Sequence, residues 1–255
     1  MSAGDLRFPS TQSALARIQS GGLKFETVID VGVHEGTPKL MKALPNALHL
    51  LIEPSAAHAN AIAKNYREIP HELIPVAAGK EDGSVWFVDH AIDGGTAITH
   101  SRIVSSREEA ERTENLRNIA ELPVRRLDTI AAERDLAGPI FLKIDVDGKE
   151  IDVLEGARGL LGDVSALSIE APLMHLSERT LWLEEAGFTL YDIVDFDYYK
   201  NVLWQVDLVF VAESAIESHP DLVASPNVGP FKPAAYQSLA MHSWTSAKRR
   251  WWKRR

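Results

Sequence analysis

VIDVGVHEG, Val28 to Gly36, is the stretch that decides the fold. A β-branched-rich run beginning at Phe25 carries an aspartate at position 30 and ends at Val31. Two glycines follow, four residues apart. Such a run bounded by turn residues predicts a buried strand. Glycine at 32 permits positive φ and close approach of a ligand to the backbone. Glycine at 36 keeps the next helix start near the strand. The spacing is GxxxG and not GxGxxG, so the pyrophosphate-binding fingerprint is not met and a ligand without a pyrophosphate fits better. A plain strand-to-helix turn would show the same two glycines.

Working outward, the chain alternates strand and helix patterns. Thr11 to Ser20 predicts a short helix stopped by Gly21-Gly22. Pro38 suits the first turn of a second helix. Ala47 to Ile52 predicts a strand ending at Glu53-Pro54, and Ser55 suits the N-cap of a helix to about Arg67. Glu72 to Ala77 and Gly83 to Val88 predict two more strands. Residues 89–121 break the rhythm and suggest a surface insertion, a mobile lid with one helix. Leu122 to Leu127, Pro139 to Val146, Val164 to Glu170, Phe188 to Phe196 and Val206 to Val211 complete the strands. Asp128 and Ser177 are the expected caps of two of the helices between them. This alternation implies an α/β fold, a mostly parallel twisted sheet with helices on both faces. Ligands bind such sheets beyond the carboxyl ends of the strands, where the strand order reverses.

Composition narrows the function classes. No apolar run among the 255 residues approaches the ~20 needed to span a bilayer. The N-terminus lacks the apolar core of a secretory signal. There are no cysteines, which excludes disulfides and thiolate metal sites and fits a reducing cytoplasm. The last eight residues, Lys248 to Arg255, read KRRWWKRR and carry six positive charges; without them the net charge falls from −9 to −15. So acidic a body argues against nucleic acid as a partner. The tail suits peripheral contact with an anionic membrane, docking on a neighbouring subunit of a homo-oligomer, or a solubilising end.

Several chemically useful residues sit at predicted strand ends. Glu53 lies 21 residues beyond Gly32, where a carboxylate can accept hydrogen bonds from ribose hydroxyls; an exposed acid at a helix start would look the same. In FLKIDVDGKEIDVLEGA, Phe141 to Ala157, the residues Lys143, Asp145 and Asp147 alternate and point one way until the turn begins. They make an acid–base site or a pair that holds the strand end together. Oxygen ligands at Asp145, Asp147, Asp195 and Asp197 would suit a hard cation, but no loop spacing ties the two pairs, and no metal is expected.

The succession VIDVGVHEG, LLIEP, PVAAG, VRRLDTI and FLKIDVDGKEIDVLEGA resembles the FkbM-type methyltransferases, class I enzymes dependent on S-adenosylmethionine, over about residues 26–213. The resemblance implies a Rossmann-like sheet of about seven strands with an insertion after the third. It implies a methyltransferase domain over 25–213, with 1–24 as lead-in and 214–255 as an extension. Asp30, Gly32, Val33 and Gly36 would lie beside the methionine part of the cofactor. Glu53, followed by Pro54, would hold the ribose, and Ala77 and Ala78 would line the adenine. Asp145 and Asp147 would stand where cofactor meets acceptor. Val33-His34-Glu35 replaces the family's usual small-residue and asparagine pair.

Methyl transfer to a hydroxyl calls for alignment and a general base. The candidates are Asp145, Asp147 and His100, with Lys143, Glu170 and His175 as acceptor-side residues. The expected activity is O-methylation of a sugar, glycan or secondary metabolite in the cytoplasm. An NAD-dependent oxidoreductase and a non-catalytic nucleoside-binding protein tethered by its basic tail are the alternatives.

Overall fold

A computed structural model describes residues 9–90, 100–104 and 106–222, with the backbone alone for 100–102. The tail Lys248–Arg255 lies outside the described residues. Helix α1 (Thr11–Ser20) opens on a reciprocal cap: the Ser10 side chain accepts from the Ser13 amide, and the Ser13 side chain accepts from the Ser10 amide. Strand β1 (Thr27–Val31) follows, buried throughout. Then come α2 (Pro38–Ala43), β2 (Leu48–Ile52), α3 (Ala59–Asn65), β3 (His71–Ile74) and β4 (Ala77–Ala78). The next elements are β5 (Gly83–His90), β6 (His100–Val104), α4 (Arg107–Glu111), β7 (Leu116–Arg125), α5 (Leu127–Ala132), β8 (Ile140–Ile144) and α6 (Glu150–Glu155). The described chain ends with β9 (Val164–Pro172), α7 (Leu176–Glu185), β10 (Phe188–Tyr199), β11 (Val202–Ala212) and α8 (Glu213–Ser218).

Seven strands form the main sheet in the order β3-β2-β1-β8-β9-β11-β10. All are parallel except β11, which runs against both neighbours. The strand order reverses at β1, so the crevice between the tips of β1 and β8 is where the fold offers a ligand site. β8 shows why these strands form the centre: Ile140, Phe141, Leu142 and Ile144 are all buried. A strand covered on both faces reads as a continuous apolar run and not as an alternation.

The second sheet has the order β4-β7-β5-β6. The predicted strand ELIPVA is split. β3 stops at Ile74, Pro75 cannot donate to a ladder, and Ala77–Ala78 leave the main sheet to pair with Val124–Arg125 of β7. The segment read as an irregular insertion also contains strand: β5 continues to His90, and β7 begins at Leu116. β5 pairs antiparallel with both β6 and β7, and the burial along β7 follows no clean alternation that would have marked it as a strand.

Two expected caps take other roles. Asp128 lies inside α5, where its carboxylate accepts from the Leu160 amide at 2.9 Å and from Arg126. Ser177 lies inside α7, whose N-cap position is His175. Close packing explains the end of the EGA motif. A Cβ on Gly156 would lie 2.0 Å from the Gly79 carbonyl oxygen, so the end of α6 can approach that turn only as glycine. No helix among the described residues is long and apolar enough to cross a membrane.

Candidate active site

The tips of β1, β2 and β8 border one hollow, lined by Val31, Gly32, Glu53, Pro54, Asp145 and Asp147 among others. The three tips are locked together. The Gly32 amide donates to the Ile52 carbonyl at 3.1 Å, and the Asp145 amide donates to the Val31 carbonyl at 3.1 Å. Beneath them Lys143 ties the centre: its Nζ donates to the Gly32 carbonyl at 2.7 Å and lies 3.3 Å from Asp30 Oδ1 and 3.2 Å from Asp145 Oδ2. Burial pushes the Lys143 pKa down, but the Asp30 and Asp145 charges outweigh it, and the ammonium is held above the ordinary lysine value. Asp30 is fully buried and neither of its oxygens makes a hydrogen bond. Its charge is met by the ion pair to Lys143.

Glu53 organises the other side. Its Oε2 accepts from the His34 amide at 2.8 Å and its Oε1 from the Ser55 amide at 2.8 Å. One carboxylate therefore fixes both the glycine turn and the chain after β2. Burial raises the Glu53 pKa, and the two backbone donors oppose that. A carboxylate offers about four lone-pair sites, so each oxygen keeps one for a ligand hydroxyl. His34 takes the left-handed conformation, φ 53°, which histidine shares with asparagine and aspartate more readily than other side chains do.

The wall from the second sheet is apolar: Ala77, Ala78, Phe87 and Ile103 line the hollow. His34 and His58 also line it, their rings 3.9 Å apart. Asp89 of β5 is buried nearby, within 3.3 Å of both the Ser55 hydroxyl and the Asn118 amide. Sequence reasoning missed His58, Phe87 and Asp89. Asp89 stood at the edge of a polar insertion, and its partners are 34 and 29 residues away, so no local signal could have found it.

The expected site residues divide accordingly. Gly32, Glu53, Pro54, Ala77, Ala78, Asp145 and Asp147 line one hollow, with Asp30 and Lys143 directly beneath Gly32. Val33 instead packs with Leu51, Ile62 and Tyr66, because the turn directs it into a small core. Val33 and Gly36 are not among the residues lining the hollow. His175 is exposed, pairs with Glu178 at 3.1 Å, and stands outside the lining. His100 belongs to β6 by its backbone, paired with His90; its side chain lies outside the described residues. Asp195, weighed as a metal ligand, is bonded by Lys39 at 2.9 Å and by the Thr11 amide at 3.0 Å. Among the described residues no three metal-ligating side chains converge.

Glu170 sits opposite Asp207 in the β9–β11 ladder. Its Oε1 accepts from Gln205 at 2.5 Å. Burial, then the charges of Asp145, Glu150, Asp147 and Asp207, push its pKa up to about 8. Burial raises Asp207 to about 7, against the pull of Lys39. From the ordinary carboxyl range near pH 4.3 up to pH about 8, these two carboxyls bind more protons in the folded chain than in the unfolded one, so their contribution to stability falls as pH rises. Glu170→Gln keeps an acceptor for Gln205 and removes the titration. The wild-type melting temperature is expected to fall between pH 5 and 8 by the equivalent of ~2 kcal/mol more than that of the variant. Scanning calorimetry at fixed ionic strength measures this, and parallel curves for the two proteins would contradict it.

A seven-stranded sheet with one reversed strand, a glycine turn after β1 and an acid just beyond β2 define a Rossmann-like class I methyltransferase fold. The chain belongs to the family defined by the methyltransferase FkbM domain, whose model matches residues 30–190. No curated protein sequence matches the chain. Among solved structures, it is similar to an rRNA methylase from Streptococcus thermophilus at 12% identity, covering 79% of this chain and 93% of that one with a TM-score of 0.43. It is similar to a ribosomal protein L11 methylase from Lactobacillus delbrueckii subsp. bulgaricus at 13% identity, covering 78% and 76%, TM-score 0.41. The METTL16 MTase domain matches at 11% identity, covering 78% and 64%, TM-score 0.44.

The residues present fit S-adenosylmethionine, the cofactor of this family. Glu53 has lone pairs for ribose hydroxyls, the Ala77–Ala78–Phe87 wall is apolar enough for a purine, and the carboxylates of Asp145 and Asp147 suit a cationic group.

Proposed function

We propose that the protein methylates a hydroxyl oxygen of a sugar, glycan or secondary metabolite. The observation that supports this reading best is the hollow itself: the carboxylate of Glu53 and two strand-tip carboxylates, Asp145 and Asp147, border the same space. Bound S-adenosylmethionine supplies an electrophilic methyl group on a positively charged sulfur. The chain's own residues position and deprotonate. Glu53 would hold the ribose hydroxyls, and the apolar wall would receive the base and exclude water. Asp145 or Asp147, held by the β8 tip, accepts the acceptor's hydroxyl proton as its oxygen becomes the nucleophile; His100 is a third candidate. Alignment of oxygen and methyl carbon can contribute ~7–11 kcal/mol of the barrier reduction. Lys143 keeps the two loops in register, so the carboxylates stay placed against the glycine turn. Glu170 is not among the residues lining the hollow and stands on the acceptor side in this reading.

Isothermal titration with S-adenosylhomocysteine tests the pocket. Wild type is expected to bind. Glu53→Ala loses two charge-assisted contacts and is expected to bind roughly 100-fold more weakly. A folded wild type with no detectable binding would refute the proposal. The acceptor class is tested by incubating the protein with methyl-labelled cofactor and cell lysate, then mass analysis of the product. Label on a sugar or alcohol oxygen is the expected result; label on RNA or on a nitrogen would replace the hydroxyl reading. Exclusion of nucleic acid rests on the acidic charge alone and stands or falls with that assay. Cytoplasmic residence and peripheral membrane contact through Lys248–Arg255 belong to the same proposal.

A further inference from the structure

His58 ends the tight turn Ala56–His58 that follows Glu53, Pro54 and Ser55. It is only 4% exposed, yet its Nε2 has no hydrogen-bond partner among the described residues. The ring lines the same hollow as Glu53 and the apolar wall. Its neighbour His34 stands against it, ring centroids 3.9 Å apart and planes tilted by 40°. His34 is itself held by the bond from its amide to Glu53 Oε2 at 2.8 Å. The imidazole is thus braced by a residue that the ribose-holding acid fixes. A buried polar atom left without a partner is uncommon in a native fold and calls for a ligand, a water or a function.

Burial, and then His34, hold the His58 pKa below the ordinary histidine value. At neutral pH the ring is uncharged, with one N–H and one lone pair. It adds no positive charge beside a cofactor that already carries a sulfonium. It suits a hydroxyl or a ring nitrogen, the polar atoms of a nucleoside.

We propose that His58 is a cofactor-binding residue whose Nε2 hydrogen-bonds the nucleoside half of S-adenosylmethionine, with His34 as the brace that positions it. This rests on the reading of the hollow as the cofactor site. The position lies five residues beyond Glu53.

The test uses the full chain and S-adenosylhomocysteine, which retains the nucleoside and lacks the sulfonium charge. His58→Ala is expected to bind roughly tenfold more weakly than wild type, and His58→Gln, which keeps a donor and an acceptor, to recover part of the loss. Nitrogen-15 NMR of the wild-type imidazoles gives a readout that does not depend on the variants folding. The His58 Nε2 resonance is expected to move on titration. Wild-type binding with His58→Ala within twofold of it, or with an unmoved Nε2 resonance, overturns this inference and leaves the cofactor site standing. Absence of wild-type binding overturns both.

Discussion

Gly32→Ala is expected to abolish S-adenosylhomocysteine binding and to lower stability by ~3–5 kcal/mol. Two separate causes add. Gly32 has φ of 81°, a conformation that costs a side-chain-bearing residue about 1–2 kcal/mol. A Cβ there would also lie 1.7 Å from the backbone oxygen of Asp145. Backbone cannot swing aside as a flexible side chain can, so the tips of β1 and β8 would have to separate. That separation would break the 2.7 Å bond from Lys143 to the Gly32 carbonyl and carry Asp145 away from the hollow. Gly162→Ala is the control. Nothing lies within 4 Å of its added Cβ, and its melting temperature and affinity should match wild type. The experiment is calorimetric melting together with S-adenosylhomocysteine titration. A Gly32→Ala protein that binds as tightly as wild type would show that the touching tips do not form the site.

This glycine was legible in the sequence, and so was most of the frame around it. A buried parallel strand is a short apolar run bounded by turns, and VIDVG, ALHLLI and PIFLKIDV all have that form. Glu53 and Asp145 were legible because each ends such a run, and strand ends in this fold border the ligand crevice. What the sequence hid depends on contacts far along the chain. Val33 sits one residue beyond Gly32, yet the turn sends it into a core with Tyr66. The β10–β11 hairpin extends to a tip at Lys200 and Asn201, with φ of 49° and 63°, beyond the expected strand limits at Phe196 and Val206. Its outer end exposes Tyr199 and Trp204, whose rings meet edge-on at 6.0 Å, so apolar side chains there give no burial signal. Glu170 and Asp207 looked like ordinary acids. Only their register as direct partners puts two carboxylates in one low-dielectric place.

The second large effect concerns the glutamate of KIDVDGKE. Arg179→Met is expected to destabilise the protein by ~3–5 kcal/mol, because it leaves the buried charge of Glu150 without a counterion. At this chain length that is roughly 10 °C in melting temperature. Glu150 and Arg179 are both buried, and Arg179 donates to Glu150 Oε2. The other glutamate oxygen faces the active loop: Oε1 accepts from the Gly148 amide at 3.0 Å and from the Val146 amide at 3.4 Å. Those two residues flank Asp147, and Asp145 adjoins them. The pair therefore does two things that mutation can separate. In Glu150→Leu with Arg179→Met no uncompensated charge remains at this place, and much of the lost stability should return, since an apolar pair of similar volume often matches a buried ion pair. The loop amides, however, stay without their acceptor, so S-adenosylhomocysteine affinity should remain low. Glu150→Gln retains an oxygen for those amides and should keep the affinity while losing stability. Melting temperature and affinity are thus expected to part company across the cycle. If they move together in all the variants, Glu150 serves the fold alone and does not position the acid loop.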